Sequence, residues 1–360
     1  MSYVVPLGPY HPSLEEPVHV KLLTDGEMIK DAKVFIGYNH RGIEKLAESR
    51  NYIQTITLVE RVCGICSHSH TLAYCLALEK IAGMEVPKRG DYIRVITCEL
   101  ERLHSHFLWL GLAAHIIGFD SLFMMCFEKR EKIMDMLETL SGNRVNYAMN
   151  IVGGARRDID ENIIAQLREQ LSVLKEDYKS ILDIYANDKT IELRTKNVGI
   201  LTYEDAFMYG ACGPHGRASG MEDDTRKIDP YCSYDDFDFE VIVQKDGDVF
   251  SRAVVRLLEI KESIKIIEQA LDNLPDTPIN LGVKMPSIPK GEYLSRIEAP
   301  RGEVTYYVVS NGKQTNHRVN IHVPTFKNAA TVPVMLKNNN ISDAGLIVAS
   351  IDPCFSCLDR

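Results

Sequence analysis

Two Cys-x-x-Cys pairs stand near opposite ends of the chain, and they constrain its folding more than any other feature. The first lies in Arg61-Val62-Cys63-Gly64-Ile65-Cys66-Ser67-His68-Ser69-His70, and the second in Asp352-Pro353-Cys354-Phe355-Ser356-Cys357, just before Arg360. Together they offer four thiolates, enough to hold a metal ion or a small cluster. A site using all four would tie the last residues to an early segment across nearly the whole chain. Four readings compete. Structural zinc sites draw their two arms from nearby segments, and four-cysteine iron–sulfur clusters prefer tighter spacing for three of their ligands. A redox dithiol needs one pair only, and its thioredoxin-like context is missing here. The fourth reading is a catalytic metal centre built between two ends of a helical bundle. On a helix, His70 shares a face with Cys66, where a ring nitrogen can donate to the Cys66 sulfur. A helix-surface histidine fits the same spacing equally well. His68 points elsewhere and is expected in solvent.

Composition excludes several classes. The net charge of −9 argues against a nucleic-acid footprint, and no basic stripe interleaved with aromatics is present. Hydrophobic residues make up 45% and charged residues 25%, as in an ordinary globular protein. Nine cysteines is an odd number and no secretory signal opens the sequence, so a reducing cytoplasmic setting is expected. The longest apolar stretch, residues 103–127, is interrupted by His104, His106, His115 and Asp120. It is read as a buried helix, not a membrane span.

Along the chain, residues 8–17 carry turn chemistry, and residues 18–23 and 28–36 read as strands around Asp25-Gly26. A helix is expected from Cys66 to about Ala82. Asp91 is read as the cap of a long helix, and a second long helix begins near Asp158 with Ile164, Leu167, Leu171, Leu174, Tyr178, Ile181 and Tyr185 on one stripe. A third follows Asp248 and ends before Pro275. Residues 197–247 are less regular, Asn311-Gly312 marks a hairpin, and a short helix over 343–351 precedes the last cysteines. The predicted fold is mainly α (α+β): a central bundle of long helices with small peripheral β-hairpins. With no repeats or linkers, residues 1–360 are treated as a single domain.

The two cysteine motifs, the Gly-Pro-x-His-Pro opening at Gly8 and the run His40-Arg41-Gly42-Ile43-Glu44-Lys45 resemble the catalytic large subunit of nickel–iron hydrogenases. The similarity is closest to the membrane-bound, energy-converting group (Ech type), and it covers the full chain. The resemblance implies that Cys63 and Cys354 are terminal nickel thiolates while Cys66 and Cys357 bridge nickel to iron. The iron of this family carries carbon monoxide and cyanide. Arg301 matches the arginine over the open metal face, Pro300 belongs to the same wall, and Thr325 matches the position that hydrogen-bonds a cyanide. Asp352 matches an acid beside the arginine, and His70 falls within the first cysteine motif that carries the resemblance. The implied reaction is heterolytic cleavage or formation of dihydrogen, with Cys354 or Arg301 taking the proton first. Glu16, before Pro17, matches the glutamate that carries the proton away, with Glu15 one residue off.

The other cysteines, Cys75, Cys98, Cys126, Cys212 and Cys232, show no cluster spacing and read as buried small hydrophobes. Electrons therefore need a partner. The resemblance implies an iron–sulfur small subunit, a ferredoxin-type electron-transfer subunit and integral membrane subunits that move ions. The chain itself would lie at the cytoplasmic side of the membrane as a peripheral subunit.

Two departures matter. Family members bind a magnesium or similar ion with an early glutamate and a terminal histidine. Glu44 matches the glutamate, but Arg360 stands at the end, and a guanidinium is no metal ligand. The family's maturation cut also falls three residues after the last cysteine, where this sequence already ends. The alternative function is a metal-free quinone-reductase core subunit like that of respiratory complex I, which shares the Gly-Pro-x-His-Pro and His-Arg-Gly stretches and is in keeping with Arg217-Ala218-Ser219-Gly220. That relative has lost the four cysteines. A structural zinc scaffold is a third reading; it leaves Arg301, Asp352 and His70 without a common purpose.

Overall fold

The computed structural model describes residues 2–360. A three-stranded antiparallel meander opens the chain: Ser2–Leu7, His19–Asp25 and Met28–Phe35 pair in sequence order. Alternation in the middle strand buries Val20, Leu22 and Thr24 on one face, as its period of two requires. The turn at Gly26 has φ 59, a conformation glycine adopts without strain. The strand Ser2–Leu7 had no sequence signal strong enough to be predicted, because most of its side chains stay exposed or half-buried.

Long helices form the centre. Lys88–Ile116 packs against Asp120–Ser141 and Val249–Asp272, and Glu161–Asn187 packs against the last two. Glu161–Asn187 buries Leu167, Leu171, Leu174, Tyr178, Ile181 and Tyr185, the stripe its periodicity predicts, and each such burial contributes about 1.5–3 kcal/mol. The Asp160 carboxylate accepts from the Ile163 N–H and the Asp248 carboxylate from that of Ser251, closing orphan donors at two helix starts. Asp91 does not cap its helix. That helix begins at Lys88 behind Pro87, and Asp91 sits in the first turn, 3.4 Å from Arg94. Residues 103–127 are not one helix either. Gly118, at φ 86, ends the first helix, and the Phe119 N–H reaches back to the Ala114 carbonyl at 2.8 Å before a second helix starts.

The second sheet pairs Lys290–Ala299, Gly302–Asn311 and Asn316–His322 in order. The Asn311-Gly312 hairpin is present; its partner strand Lys290–Ala299 was not foreseen, since its first half is largely exposed and shows no alternation. This sheet is small, yet it is not peripheral. Tyr306 and Val308 are fully buried, and Ser295 Oγ donates to the Ala73 carbonyl of the helix Ser67–Ala82 at 2.6 Å. Ala299 pairs with Gly302, so Pro300 and Arg301 form the tip of a tight hairpin. A Cβ on Gly302 would meet the Gly213 nitrogen at 2.9 Å; the two backbones touch there, and this pins the tip.

The irregular region after Asn197 is tied to the bundle by buried ions. Arg217 contacts Glu259 and Glu298, each at 2.8 Å, and Arg226 contacts Asp224 at 2.6 Å and Glu99 at 3.2 Å. Burial alone would raise the Glu99 carboxyl, but Arg102 and Arg226 hold it down at about 2.

Candidate metal centre

Each cysteine is placed by a helix end. Cys63 lies in the turn after the helix Tyr52–Glu60, and Cys66 is the N-cap of Ser67–Ala82. Cys354 is the N-cap of the short helix Phe355–Asp359, where its sulfur accepts from the Cys357 N–H at 3.4 Å. The ends of the chain thus meet. The Cys354 sulfur lies 3.4 Å from that of Cys63 and 3.0 Å from that of Cys357, and Cys66 lies 3.4 Å from Cys357. All four are buried and free. Hydrogen bonds from Cys354, Cys357 and Cys66 hold the Cys63 thiol well below its usual range, while Cys66 and Cys357 are pushed well above it. Four sulfurs so close cannot all ionise without a cation between them. Cys75, Cys98, Cys126, Cys212 and Cys232 are buried apart from this cluster.

His70 is near the sulfurs but not where its spacing predicts. Its Nε2 is 3.3 Å from the sulfur of Cys357, not Cys66, and its Nδ1 is 2.7 Å from the Tyr306 hydroxyl. Burial holds the imidazole down at about 4, so it is neutral. With its proton on Nε2 it donates to sulfur, and Tyr306 donates to Nδ1. Intra-helical spacing could not reveal that the cross-chain cysteine comes closer. His68 is not in solvent. It is buried, with Nε2 3.2 Å from the Arg94 carbonyl, and burial holds it at about 3.

Arg301 lines a small cavity above the sulfurs together with Ala299, Pro324 and Thr325. Its Nε donates to the Asp352 carbonyl at 2.9 Å and its Nη2 to the Asp352 carboxylate at 2.7 Å. Its Nη1 is buried without a protein partner. Pro300 is buried in the hairpin turn, and Ala299 and Pro324 supply the cavity wall instead. Thr325 Oγ1 accepts from the Cys354 N–H at 3.0 Å, which leaves its own proton available. A nickel–iron group with small anionic ligands fits this donor set: four soft sulfurs beneath an orphaned guanidinium N–H and a free hydroxyl proton.

Glu16 accepts from the Ser356 N–H at 2.9 Å and from its hydroxyl at 3.3 Å. Burial raises its carboxyl and the Ser356 N–H partly offsets this. Glu15 does not share this contact. Its residue surface is exposed, yet the protein mass around it and the Asp352 charge push it towards about 8, a shift that solvent access moderates.

The structure does not provide a magnesium site at Glu44. Its carboxylate already receives Arg360 at 3.1 Å, Arg318 at 3.2 Å and the Ile321 N–H at 2.9 Å. Two guanidiniums around one carboxylate leave no favourable place for a divalent cation.

Sequence reading missed Glu101, and it gave Arg41 no role beyond its place in the His40–Lys45 run. The fully buried Glu101 accepts from the N–H groups of His68 at 2.6 Å and Ser69 at 3.0 Å and from the Ser69 hydroxyl, capping the helix behind Cys66 from a neighbouring helix. Charged residues inside an apolar helical stripe were its only signal.

Fold and site together define a helix-rich chain that gathers four buried thiols, able to hold a metal, between an early segment and its last helix. The model of the nickel-dependent hydrogenases matches residues 41–120, and that of the 49 kDa subunit of respiratory-chain NADH dehydrogenase matches residues 117–287 and 281–360. The carbon monoxide-induced hydrogenase of Rhodospirillum rubrum is 44% identical over 100% of this chain and 99% of its own. The alpha subunit of the membrane-bound hydrogenase of Pyrococcus furiosus is 41% identical over 99% of this chain and 87% of its own. A subunit of the NADH-quinone oxidoreductase of Clostridium beijerinckii is 39% identical over 98% and 96%. The chain belongs to the family of hydrogenase large subunits and 49 kDa respiratory subunits, on the membrane-bound, energy-converting hydrogenase side of it. Among the described residues, no helix is long and apolar enough to cross a membrane.

Proposed function

We propose that this chain, acting as one unit over residues 1–360, is the catalytic large subunit of an energy-converting nickel–iron hydrogenase. It forms and cleaves dihydrogen reversibly, with electrons from reduced ferredoxin through an iron–sulfur small subunit. Integral membrane partners that move ions hold it at the cytoplasmic face of the membrane. Cys63, Cys66, Cys354 and Cys357 would hold the nickel–iron group, whose iron would bring carbon monoxide and cyanide with it. When bound, this centre supplies the electron-pair chemistry by which dihydrogen splits heterolytically.

The chain's own residues handle the proton and the guest. Arg301 Nη1 and the Thr325 hydroxyl donate to a small anionic ligand in the cavity, and the Asp352 carboxylate fixes the guanidinium plane at 2.7 Å. His70 Nε2 donates to the Cys357 sulfur and tempers its charge. Arg301, kept protonated by the Asp352 and thiolate charges, only donates; the Cys354 sulfur receives the proton. Glu16, bonded to the peptide between Cys354 and Cys357, carries it outward.

The observation that carries this reading is the convergence of four sulfurs within 3.0–3.4 Å contacts beneath a buried, unsatisfied arginine nitrogen. The metal-free quinone-reductase reading draws on relatives such as the NADH-quinone oxidoreductase protein of Clostridium beijerinckii, and it gives the four thiols no task. An infrared spectrum of anaerobically purified protein, with nickel and iron quantified on the same sample, tests the proposal. Carbon monoxide and cyanide stretches with equal nickel and iron are expected. Their absence from fully matured protein, with zinc alone, overturns the hydrogenase reading.

A further inference from the structure

Arg41 lies in the loop between the first sheet and the short helix Ile43–Glu48. Its guanidinium donates from Nη1 to the Arg61 carbonyl at 3.0 Å and from Nη2 to the carbonyls of Val62 at 2.8 Å and Ser356 at 2.6 Å. Val62 precedes Cys63, and Ser356 precedes Cys357. One rigid, planar group therefore spans both cysteine segments, which are otherwise separated by most of the chain. The carbonyls it takes are short of partners, since a five-residue helix such as Phe355–Asp359 leaves its last carbonyls open. The same loop grips the rest of that helix. The N–H groups of Gly37 and Asn39 donate to the Asp359 carboxylate, each at 2.9 Å, and His40 Nδ1 lies 2.7 Å from the Asp359 carbonyl. Glu16 takes the Ser356 N–H from the other side. Ser356 is thus held at both its donor and its acceptor.

We propose that Arg41 is a positioning residue that sets the separation of the two cysteine pairs and holds the four sulfurs together before a metal arrives. This rests on the reading of the four thiols as a metal centre. Lysine cannot replace it: an ammonium is a point donor, whereas the guanidinium fork reaches three carbonyls at once.

The test is a Co2+ titration of the full-length, metal-free chain under reducing, anaerobic conditions, read by thiolate-to-cobalt charge-transfer absorption. The native chain binds one Co2+ with tetrathiolate absorption. Arg41→Ala and Arg41→Lys keep native far-ultraviolet circular dichroism and cooperative unfolding. They bind Co2+ at least about tenfold more weakly, because charge-assisted hydrogen bonds holding one arm are gone. Arg41 is an exposed residue, so millimolar guanidinium can enter the vacated slot and restores binding to Arg41→Ala. Native affinity and absorption in either variant overturn the assignment. If Arg41→Ala does not fold, Arg41→Lys decides it by the same readout. A native chain that takes up no Co2+ through its thiols removes the metal-centre reading and this inference with it. Unchanged binding in the variants removes this inference alone.

Discussion

Glu16 and Glu15 are neighbours in sequence with different surroundings. Glu16 reaches the peptide between Cys354 and Cys357, while Glu15 faces the Asp352–Arg301 side with an exposed surface. A proton carrier needs hydrogen-bond reach of the donor first and a suitable pKa second, and Glu16 is the one bonded into the segment between Cys354 and Cys357. Glu16→Gln preserves the shape and still accepts from the Ser356 N–H, so the metals should load normally. Proton exchange with dihydrogen should fall by about 10²–10⁴, the usual worth of a general acid–base group. Isotope exchange between deuterium gas and water measures this directly, and wild-type exchange in the variant sinks the role of Glu16. The cysteine motifs were legible because their chemistry is written in adjacent letters. The partner of His70 was not, because the choice between Cys66 and Cys357 is made by a fold that brings residues hundreds of positions apart to 3.3 Å.

At the level of elements, what could be read were local devices. Asp248 announces its helix, and the stripe from Leu167 to Tyr185 announces its buried face. The break at Gly118 was hidden, because apolar residues continue on both sides and a lone glycine is tolerated in helices. The strand Lys290–Ala299 was hidden because its first half faces water and its order comes from pairing with Gly302–Asn311. That pairing decides where Arg301 goes, so the least legible strand places a central side chain. The Gly118 turn makes a clean test of the helix division. A Cβ there meets nothing within 4 Å, so only the positive φ penalises a side chain. Gly118→Ala should cost about 1–2 kcal/mol, the penalty of the left-handed region for an L-residue, and Gly118→Asn should cost less. Denaturant unfolding of both variants measures the difference. Equal stability of Gly118→Ala and wild type would mean that the chain does not turn at this residue.

Across the whole molecule, the bundle buries histidines that no local pattern marks as interior. His68 and His104 are held at about 3 and His70 at about 4, chiefly by burial; His106 and His215 are lowered for the same reason. An unfolded histidine titrates near 6.5. Between that pH and about 4 an unfolded His68, His70 or His104 therefore binds a proton that the folded one does not, and each lowers stability as pH falls, by roughly 1.4 kcal/mol per pH unit. Glu101, pushed up to about 8 by burial, acts in the opposite direction. It is protonated in the folded chain while ionised in the unfolded one between about 4.5 and 8, so it favours the folded state towards lower pH. Glu15 acts the same way, and so do the raised Glu16, Asp91 and Glu298, so the slope of the whole chain is a sum of opposed contributions and a single histidine is read by difference. His104→Gln isolates one contribution. His104 Nε2 lies 2.9 Å from the Ile65 carbonyl and Nδ1 lies 3.2 Å from Arg130, contacts an amide can reproduce in part without titrating. Its plot of stability against pH should be shallower than wild type by about one proton's slope, whatever its absolute stability. Parallel plots for the two chains would mean that His104 titrates freely in the folded state, contradicting its burial beside the first cysteine pair.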